Sequence, residues 1–272
     1  MTIVLTILVN DGVVLAGDSA LTADVEGNIV NLYETSKIAN LHKSLPIGIM
    51  TWGRASIGNA SILTLIKDFR KRIMGLDTTC LNCKLDTNNY TIEGVAQLFK
   101  AFIFDEIYTK SQVDDERFIL GFVIAGYSAN SSMAERWEIT VKESKCNGPI
   151  QILGDGLIYA GEKEAISRLV NGYDLKLKDV LQNTGLSQKK INGIMETIDS
   201  ELSTQLVSDK MPIQDVIHLS RFLLDLTINY FRFKPVISSV GGSTEIAAIT
   251  KHEGYKWISR NHYYDTKYNQ SY

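Results

Sequence analysis

The second residue of the chain carries the chemistry that the sequence offers most directly. Thr2 follows Met1, so removal of the methionine would place a hydroxyl group and a free α-amine on one residue. An alcohol is a weak nucleophile at neutral pH and needs a base to accept its proton. A terminal amine, with an unperturbed pKa of about 7.7–8.0, suits that role. The start of the chain therefore indicates acyl transfer through a threonine nucleophile, provided that Met1 is removed.

The residues after Thr2 predict a hairpin that brings an acidic side chain back to it. Two apolar runs, Ile3–Val9 and Val13–Ala16, flank an Asn-Asp-Gly sequence at positions 10–12. Apolar, β-branched runs on either side of such a sequence are typical of two antiparallel strands joined by a tight turn. Asp18 comes at the far end of the second run, so we expect its carboxylate to lie near Thr2.

The rest of the chain groups its strands and helices into separate blocks. Apolar residues at helical spacing predict helices over Ala55–Met74, Thr91–Lys110, Glu162–Val170 and Pro212–Phe231. Shorter apolar runs predict strands over Lys37–Leu41, Pro46–Gly53, Arg117–Tyr127, Arg136–Val141, Pro149–Leu153, Val236–Val240, Glu245–Thr250 and Tyr255–Ser259. The segment Leu175–Lys210 is polar and helical in part. This order favours stacked layers of the α+β class over a doubly wound sheet.

Composition excludes several functional classes. The 272 residues are 44% hydrophobic and 22% charged, and the formal net charge is −3, so electrostatics favour neither nucleic acid nor an anionic membrane as a partner. No apolar run is long enough to cross a bilayer, and the N-terminus lacks the basic region of a signal peptide. Three cysteines do not make a disulfide framework. We therefore expect a cytoplasmic protein.

Other motifs are weaker. Cys80 and Cys83 have metal-ligand spacing, but no second pair accompanies them, so a loop with two thiols is the better interpretation. The four histidines are scattered and predict no ligand set. The basic run Lys67–Arg72 suits a solvated helix face or an inter-subunit contact, and Gly241-Gly242 suits a tight turn between strands rather than a phosphate loop. We predict neither a metal nor a cofactor.

The sequence resembles the β-type subunits of the proteasome, which are N-terminal-nucleophile hydrolases. The matching stretches are Thr2, Gly12–Ser19, Ser36–Ile38 and Ile47–Gly53. The separation of Thr2 from Asp18 matches the family's spacing from nucleophile to aspartate. Lys37, followed by an apolar residue in a strand, matches the family's active-site lysine.

The resemblance implies a fold and an assembly. The fold would be a four-layer α-β-β-α sandwich in one domain over residues 1–260, with a helical insertion around 172–211 and a polar tail over 261–272. The assembly would be a homo-oligomer, either a ring or a related form. The substrate would be a peptide or an unfolded protein, and whether an ATPase partner exists stays open.

The resemblance also implies roles for individual residues. The ammonium of Lys37 would favour the alkoxide of Thr2 and lower the pKa of the α-amine, while Asp18 would hold Lys37 in place. The backbone N–H groups of Trp52 and Gly53 are the candidate oxyanion donors. The residues that match or replace the family's supporting side chains are Ser19, Asp155, Ser238 and Ser239.

Three functions follow as hypotheses. The first is a proteasome-like threonine hydrolase that cleaves peptide or amide bonds through an acyl-enzyme on Thr2. The second is a catalytically inactive structural or interaction subunit of the same fold, because Asp155 stands where the family has a serine. The third is a small-molecule amidase, because this nucleophile chemistry is not confined to peptides.

Overall fold

In the computed structural model, the described residues are 2–25, 28–32, 35–80, 83–111, 118–154, 156–235 and 240–262. Side-chain descriptions exclude positions 22–34. The secondary structure combines antiparallel sheets with helices, which confirms the predicted α+β class.

The predicted hairpin lies at the centre of the first five-stranded sheet. Its strands are β1 (Ile3–Val9) and β2 (Gly12–Asp18), which pair in antiparallel register. The sheet order is β12-β1-β2-β13-β14, where β12 is Gly156–Gly161, β13 is Thr244–Thr250 and β14 is Gly254–Ser259. Both hairpin strands are buried along their whole length, because neighbouring strands flank them and apolar layers cover both faces.

The second five-stranded sheet carries the segment around Lys37. Its order is β11-β10-β9-β6-β5, and all pairings are antiparallel. The strands are β5 (Ile38–Asn40), β6 (Ile47–Gly53), β9 (Ile119–Tyr127), β10 (Ala134–Lys142) and β11 (Lys145–Gln151). Two small hairpins complete the strands: β3 (Leu21–Val25) with β4 (Asn28–Leu32), and β7 (Ser56–Ile57) with β8 (Ala60–Ser61).

The helices follow the predicted blocks with shifted limits. They are α1 (Ile62–Ile73), α2 (Ile92–Lys100), α3 (Glu164–Asn171), α4 (Leu177–Asn183), α5 (Gln188–Leu202) and α6 (Ile213–Phe233). A π-helix over Ala101–Tyr108 continues α2, and a 3₁₀ turn over Thr109–Ser111 follows it. Within the described residues, no helix is both long and apolar enough to cross a membrane.

One predicted boundary is wrong and one strand is missing from the prediction, each for a physical reason. Helix α1 begins at Ile62 rather than near Ala55, because a small hairpin precedes it and the Ser61 hydroxyl caps it by accepting from the Thr64 N–H at 3.2 Å. Strand β12 is absent from the prediction, since its residues gain strand geometry only by pairing with β1. Some predicted segments lie partly outside the described residues. They are position 117 at the start of one predicted strand, 236–239 of another, and 263–272 of the tail.

Among the described residues, three clusters of buried apolar side chains hold these elements together. One combines residues of both sheets, including Leu15, Met50 and Val123. A second joins the second sheet to α1 and α2, where Phe99 contacts Phe69 and Phe122 with ring centroids 5.0 and 4.8 Å apart. The third joins the first sheet to α3 and α6. Burial of this apolar surface is the main favourable term in folding.

Candidate active site

The central hairpin places the hydroxyl of Thr2 on the carboxylate of Asp18. Thr2 directly precedes β1 and Asp18 ends β2, so the antiparallel register brings the two residues together. Thr2 Oγ1 donates to Asp18 Oδ1 at 2.6 Å, and the Ile3 N–H donates to the same oxygen at 3.0 Å. Asp18 is completely buried and Thr2 is 4% exposed. The local turn is therefore sufficient to form this contact.

Lys37 reaches the same carboxylate from the residues that precede β5. Its Nζ donates to Asp18 Oδ1 at 2.5 Å and to the carbonyl oxygen of Ala20 at 2.6 Å. Lys37 is 7% exposed, so this is a buried ion pair. Asp18 Oδ1 thus accepts from the threonine hydroxyl and from the lysine ammonium at once, which places the three predicted residues in one cluster.

The second oxygen of Asp18 is bound by backbone. Asp18 Oδ2 accepts from the Gly241 N–H at 3.1 Å and from the Ala20 N–H at 3.3 Å. Gly241 belongs to the paired glycines that precede β13, and the sequence predicted only a turn there. These bonds fix the orientation of the carboxylate, because both of its oxygens are engaged.

Two opposing effects act on the pKa of Lys37. Burial lowers it, because desolvation penalises the charged ammonium, whereas the charge of Asp18 and its hydrogen bond raise it. The charge of Glu245 also raises it, and the net direction is downward. The Lys37 ammonium and the Thr2 hydroxyl bind the same oxygen of Asp18, so the charge of Lys37 lies close to that hydroxyl.

Glu245 is a site residue that the sequence interpretation missed. It lies in β13, is 1% exposed, and its Oε2 accepts from the Ser36 hydroxyl at 2.7 Å and from the Lys37 backbone N–H at 3.3 Å. Burial raises the pKa of Glu245, against the hydrogen bonds from Ser36 and from the backbone of Asn261 and Lys37. The available signal was an acidic residue in an otherwise apolar strand. Glu245 anchors the backbone on which Lys37 is carried.

A cleft of about 160 Å³ opens beside these residues. Thr2 and Lys37 line it together with Trp52 and Gly53 from the end of β6, and Leu63 of α1 lies on another wall. A larger depression of about 910 Å³ lies along α6, but none of the clustered residues lines it. The smaller cleft is therefore the candidate site.

The bend at the end of β6 has a shape that only glycine permits. Gly53 has φ +93°, and a Cβ there would lie 2.2 Å from the carbonyl oxygen of Ile119. The neighbouring indole of Trp52 lies against Gly121, where a Cβ would come within 2.2 Å of the ring. Both predicted oxyanion residues thus border the cleft, and their role in catalysis stays a prediction.

The predicted supporting residues differ in their outcome. Ser19 is completely buried, and its Oγ lies 3.4 Å from Ser243 Oγ rather than on the clustered side chains. Asp155, Ser238 and Ser239 lie outside the described residues. Gly154 directly precedes Asp155, and its carbonyl oxygen accepts from the buried Arg136 at 2.9 Å.

No metal site emerges in the part of the chain that the structure describes. No group of three or more histidine, cysteine, aspartate or glutamate side chains is arranged to hold a metal ion there. Cys80 and Cys83 are joined to each other in a disulfide, so the prediction of two thiols in this loop is wrong.

Comparisons with known proteins give the fold. No protein-family profile and no curated protein matches the sequence. Solved structures do match: Anbu (ancestral beta-subunit) from Yersinia bercovieri has a TM-score of 0.57 at 12% identity, covering 96% of this chain and 89% of that one.

Two further solved structures also match the fold of this chain. They are the helical assembly of the Anbu complex from Pseudomonas aeruginosa, with a TM-score of 0.54 at 12% identity, and an Anbu (Gly-1) mutant from Hyphomicrobium sp. strain MC1, with a TM-score of 0.55 at 13% identity. They cover 96% and 97% of this chain, and 88% and 90% of their own chains.

These matches correct the resemblance drawn from the sequence. The neighbours are Anbu proteins, a family that is proteasome-like but distinct, so the identification as a proteasome β-type subunit is wrong. At 12–13% identity the likeness extends to the fold alone. The chain therefore has a proteasome-like fold of mixed α+β class with antiparallel sheets.

Proposed function

We propose that the protein is an N-terminal threonine hydrolase that cleaves amide bonds through an acyl-enzyme on Thr2. The observation that carries the proposal is the buried oxygen Asp18 Oδ1, which accepts from both the Thr2 hydroxyl and the Lys37 ammonium beside an open cleft. A nucleophile, a cation and an orienting carboxylate within hydrogen-bond reach support activation of an alcohol once a base is present to accept its proton.

The reaction needs a free amine on Thr2. The hydroxyl oxygen would form a bond to the substrate carbonyl carbon while its proton passes to that amine. The tetrahedral intermediate would then break its C–N bond, and the departing nitrogen would take the proton, which leaves an ester on Thr2 Oγ1. Water would hydrolyse the ester by the same transfers, so that one water and one amide become an acid and an amine.

Lys37 and the β6 bend would supply the electrostatics of these steps. The ammonium of Lys37 would favour the developing alkoxide, and the charge and hydrogen bond of Asp18 oppose the lowering of the Lys37 pKa that burial causes. Trp52 and Gly53 line the same cleft, and their backbone N–H groups would face the carbonyl oxygen as it gains negative charge.

The proposal extends to architecture and assembly. Two sheets that share one core cluster, each with helices on a further cluster, fit a four-layer α-β-β-α sandwich. The same packing fits one domain over residues 1–260 with an insertion around 172–211. Because an Anbu complex from Pseudomonas aeruginosa forms a helical assembly, we infer that this chain also forms a homo-oligomer. Peptides are the substrate class that we propose to test first.

Specific observations favour each of the two alternatives. Thr2 is only 4% exposed and its hydroxyl is already engaged, which suits an inactive structural subunit. The cleft of about 160 Å³ accepts a small acyl group more readily than a long side chain, which suits an amidase.

Intact-mass measurement combined with a β-lactone probe tests the proposal. We expect the natural protein to lack Met1 and to gain one probe mass on Thr2. The variant Thr2→Ala should lose labelling by at least about 100-fold, on the order of the loss when a catalytic nucleophile is removed. The control Thr197→Ala, in the exposed part of α5, should label like the wild type.

The outcomes separate the hypotheses. Retention of Met1 with no labelling would favour the inactive subunit, and equal labelling of Thr2→Ala would exclude Thr2 as the nucleophile. A labelled enzyme that turns over small amides but not peptides would favour the amidase.

A further inference from the structure

A second pocket borders the candidate active site. It has a volume of about 420 Å³, and it shares Ser36 and Leu63 with the cleft. Its walls come from β5, from α1 and from the residues that follow β14, which are distant in the sequence. The proposed hydrolase chemistry uses none of its charged residues, so the pocket requires its own explanation.

Three basic side chains line this pocket. Lys67 and Arg70 lie one and two turns after Leu63 on a single face of α1, and Arg260 faces them from the end of β14. Burial lowers the pKa of Arg70, and so does the like charge of Arg260. Within the described residues, none of these three cations forms an ion pair with a carboxylate.

The sequence predicted a solvated helix face or an inter-subunit contact for this basic run. Two of its members, Lys67 and Arg70, instead line the pocket, to which the end of β14 also contributes. Lys71, between them in the chain, points away and lies 3.7 Å from Asp68 with 64% of its side chain exposed. The side chains of this run therefore face two surroundings: Lys71 faces water, whereas Lys67 and Arg70 line the pocket.

The pocket also has apolar lining residues. Trp257 contributes an aromatic surface, with the guanidinium of Arg260 4.9 Å from its ring centroid, and Ile38 and Ala39 add aliphatic surface. A cation held against an aromatic face keeps its remaining N–H groups free to point toward a ligand. This combination suits a molecule with one charged end and one apolar end.

A buried donor at the pocket also lacks a partner. The side-chain Nδ2 of Asn261, a residue that lines the pocket, is buried without a hydrogen-bond partner among the described residues. Such groups cost free energy unless a ligand or water satisfies them. Glu245 interacts with Arg260 through its charge, but the two side chains form no direct ion pair among the described residues; Glu245 Oε2 accepts from Ser36 and Oε1 has no partner.

We propose that this pocket binds a small organic anion. Its carboxylate or phosphate group would be held by Arg70 and Arg260, with Lys67 nearby, and its apolar part would pack on Trp257. Guanidinium groups suit this role because they bind such anions in a bidentate manner. The inference does not depend on Thr2 being a nucleophile.

Titration calorimetry on the full-length protein tests the site with three probes: inorganic phosphate, phenyl phosphate and phenylacetate. We expect saturable binding of at least one aromatic anion, about tenfold tighter than that of inorganic phosphate because of the apolar wall. Arg70→Gln and Arg260→Gln should each weaken this binding by about tenfold or more, since each removes a charge-assisted hydrogen bond. Whichever of the two aromatic probes binds more tightly identifies the preferred anionic group.

Two control variants make the result decisive. Lys71→Gln removes a charge from the same helix outside the pocket and should leave the affinity unchanged, and Thr2→Ala should also leave it unchanged. Arg260 is exposed, so Arg260→Gln should fold even if Arg70→Gln does not. The proposal is overturned if neither aromatic probe saturates, if Lys71→Gln weakens binding as much as Arg260→Gln, or if Arg260→Gln binds like the wild type.

Discussion

At the scale of single residues, the site is defined by how one carboxylate distributes its hydrogen bonds. Asp18 accepts from the Thr2 hydroxyl and the Lys37 ammonium at one oxygen and from backbone at the other. A buried ion pair adds little net stability, because desolvation offsets the Coulomb attraction. Its value is therefore orientation: it holds the ammonium beside the threonine in one geometry.

Glu245 gives a prediction with a definite sign. Its folded-state pKa lies above the ordinary 4.5 because of burial, so between these two values the folded protein binds more protons than the unfolded chain. Stability contributed by this group should therefore be present below pH 4.5 and be lost as the pH rises through the raised pKa. We expect the wild type to lose stability relative to Glu245→Gln across this window.

Urea denaturation at a series of pH values measures this difference. Glu253→Gln serves as the control, because that residue is exposed at the turn between β13 and β14. If the curves for the wild type and Glu245→Gln ran parallel from pH 4.5 upward, the assignment of the raised pKa to Glu245 would be wrong.

At the scale of elements, the bend that ends β6 has a backbone that a side chain cannot adopt without strain. Gly53→Ala would place a Cβ 2.2 Å from the Ile119 carbonyl oxygen at φ +93°, so we expect a loss of at least about 2 kcal/mol in unfolding free energy. Gly193→Ala is the matched control, because that helical glycine in α5 has open space around it. It should stabilise the protein by roughly 0.5–1 kcal/mol.

Chemical denaturation of the two variants separates strain from a general effect of alanine. Equal stability changes of the same sign would contradict the strained bend. If Gly53→Ala also loses β-lactone labelling under conditions where it stays folded, the bend contributes to the proposed oxyanion site as well as to the fold.

At the scale of the whole molecule, the cluster that combines residues of both sheets should set the stability of the chain. Leu15 is completely buried in it, so Leu15→Ala should cost about 2–5 kcal/mol through lost burial and the cavity left behind. Leu153→Ala, at a position that is 79% exposed, should change stability by less than about 0.5 kcal/mol.

Two probes then test the prediction of one domain. Tryptophan fluorescence reports on the sheets, since Trp52, Trp137 and Trp257 lie in their strands. Far-UV circular dichroism reports on the helices, including the segment around 172–211. One cooperative unit requires that Leu15→Ala shift both transitions together, whereas a helical signal that stays in place would indicate a separate unit.

Local patterns in the sequence were enough for the central hairpin and for the contact of Thr2 with Asp18. A tight turn sets the register of the strands beside it, so residues at the two ends of a hairpin meet whatever the rest of the chain does. The α+β class also follows from the sequence, because the order of strand and helix blocks limits how layers can stack.

Tertiary structure alone decided the remaining features. Strand β12 exists because β1 offers it an edge, and Glu245 becomes a site residue because β13 packs beside β2. The pocket between Arg70 and Arg260 joins residues that are far apart in the chain, and no local pattern encodes such a meeting. A single sequence specifies turns and periodicity directly, whereas long-range pairings depend on the packing of all the layers together.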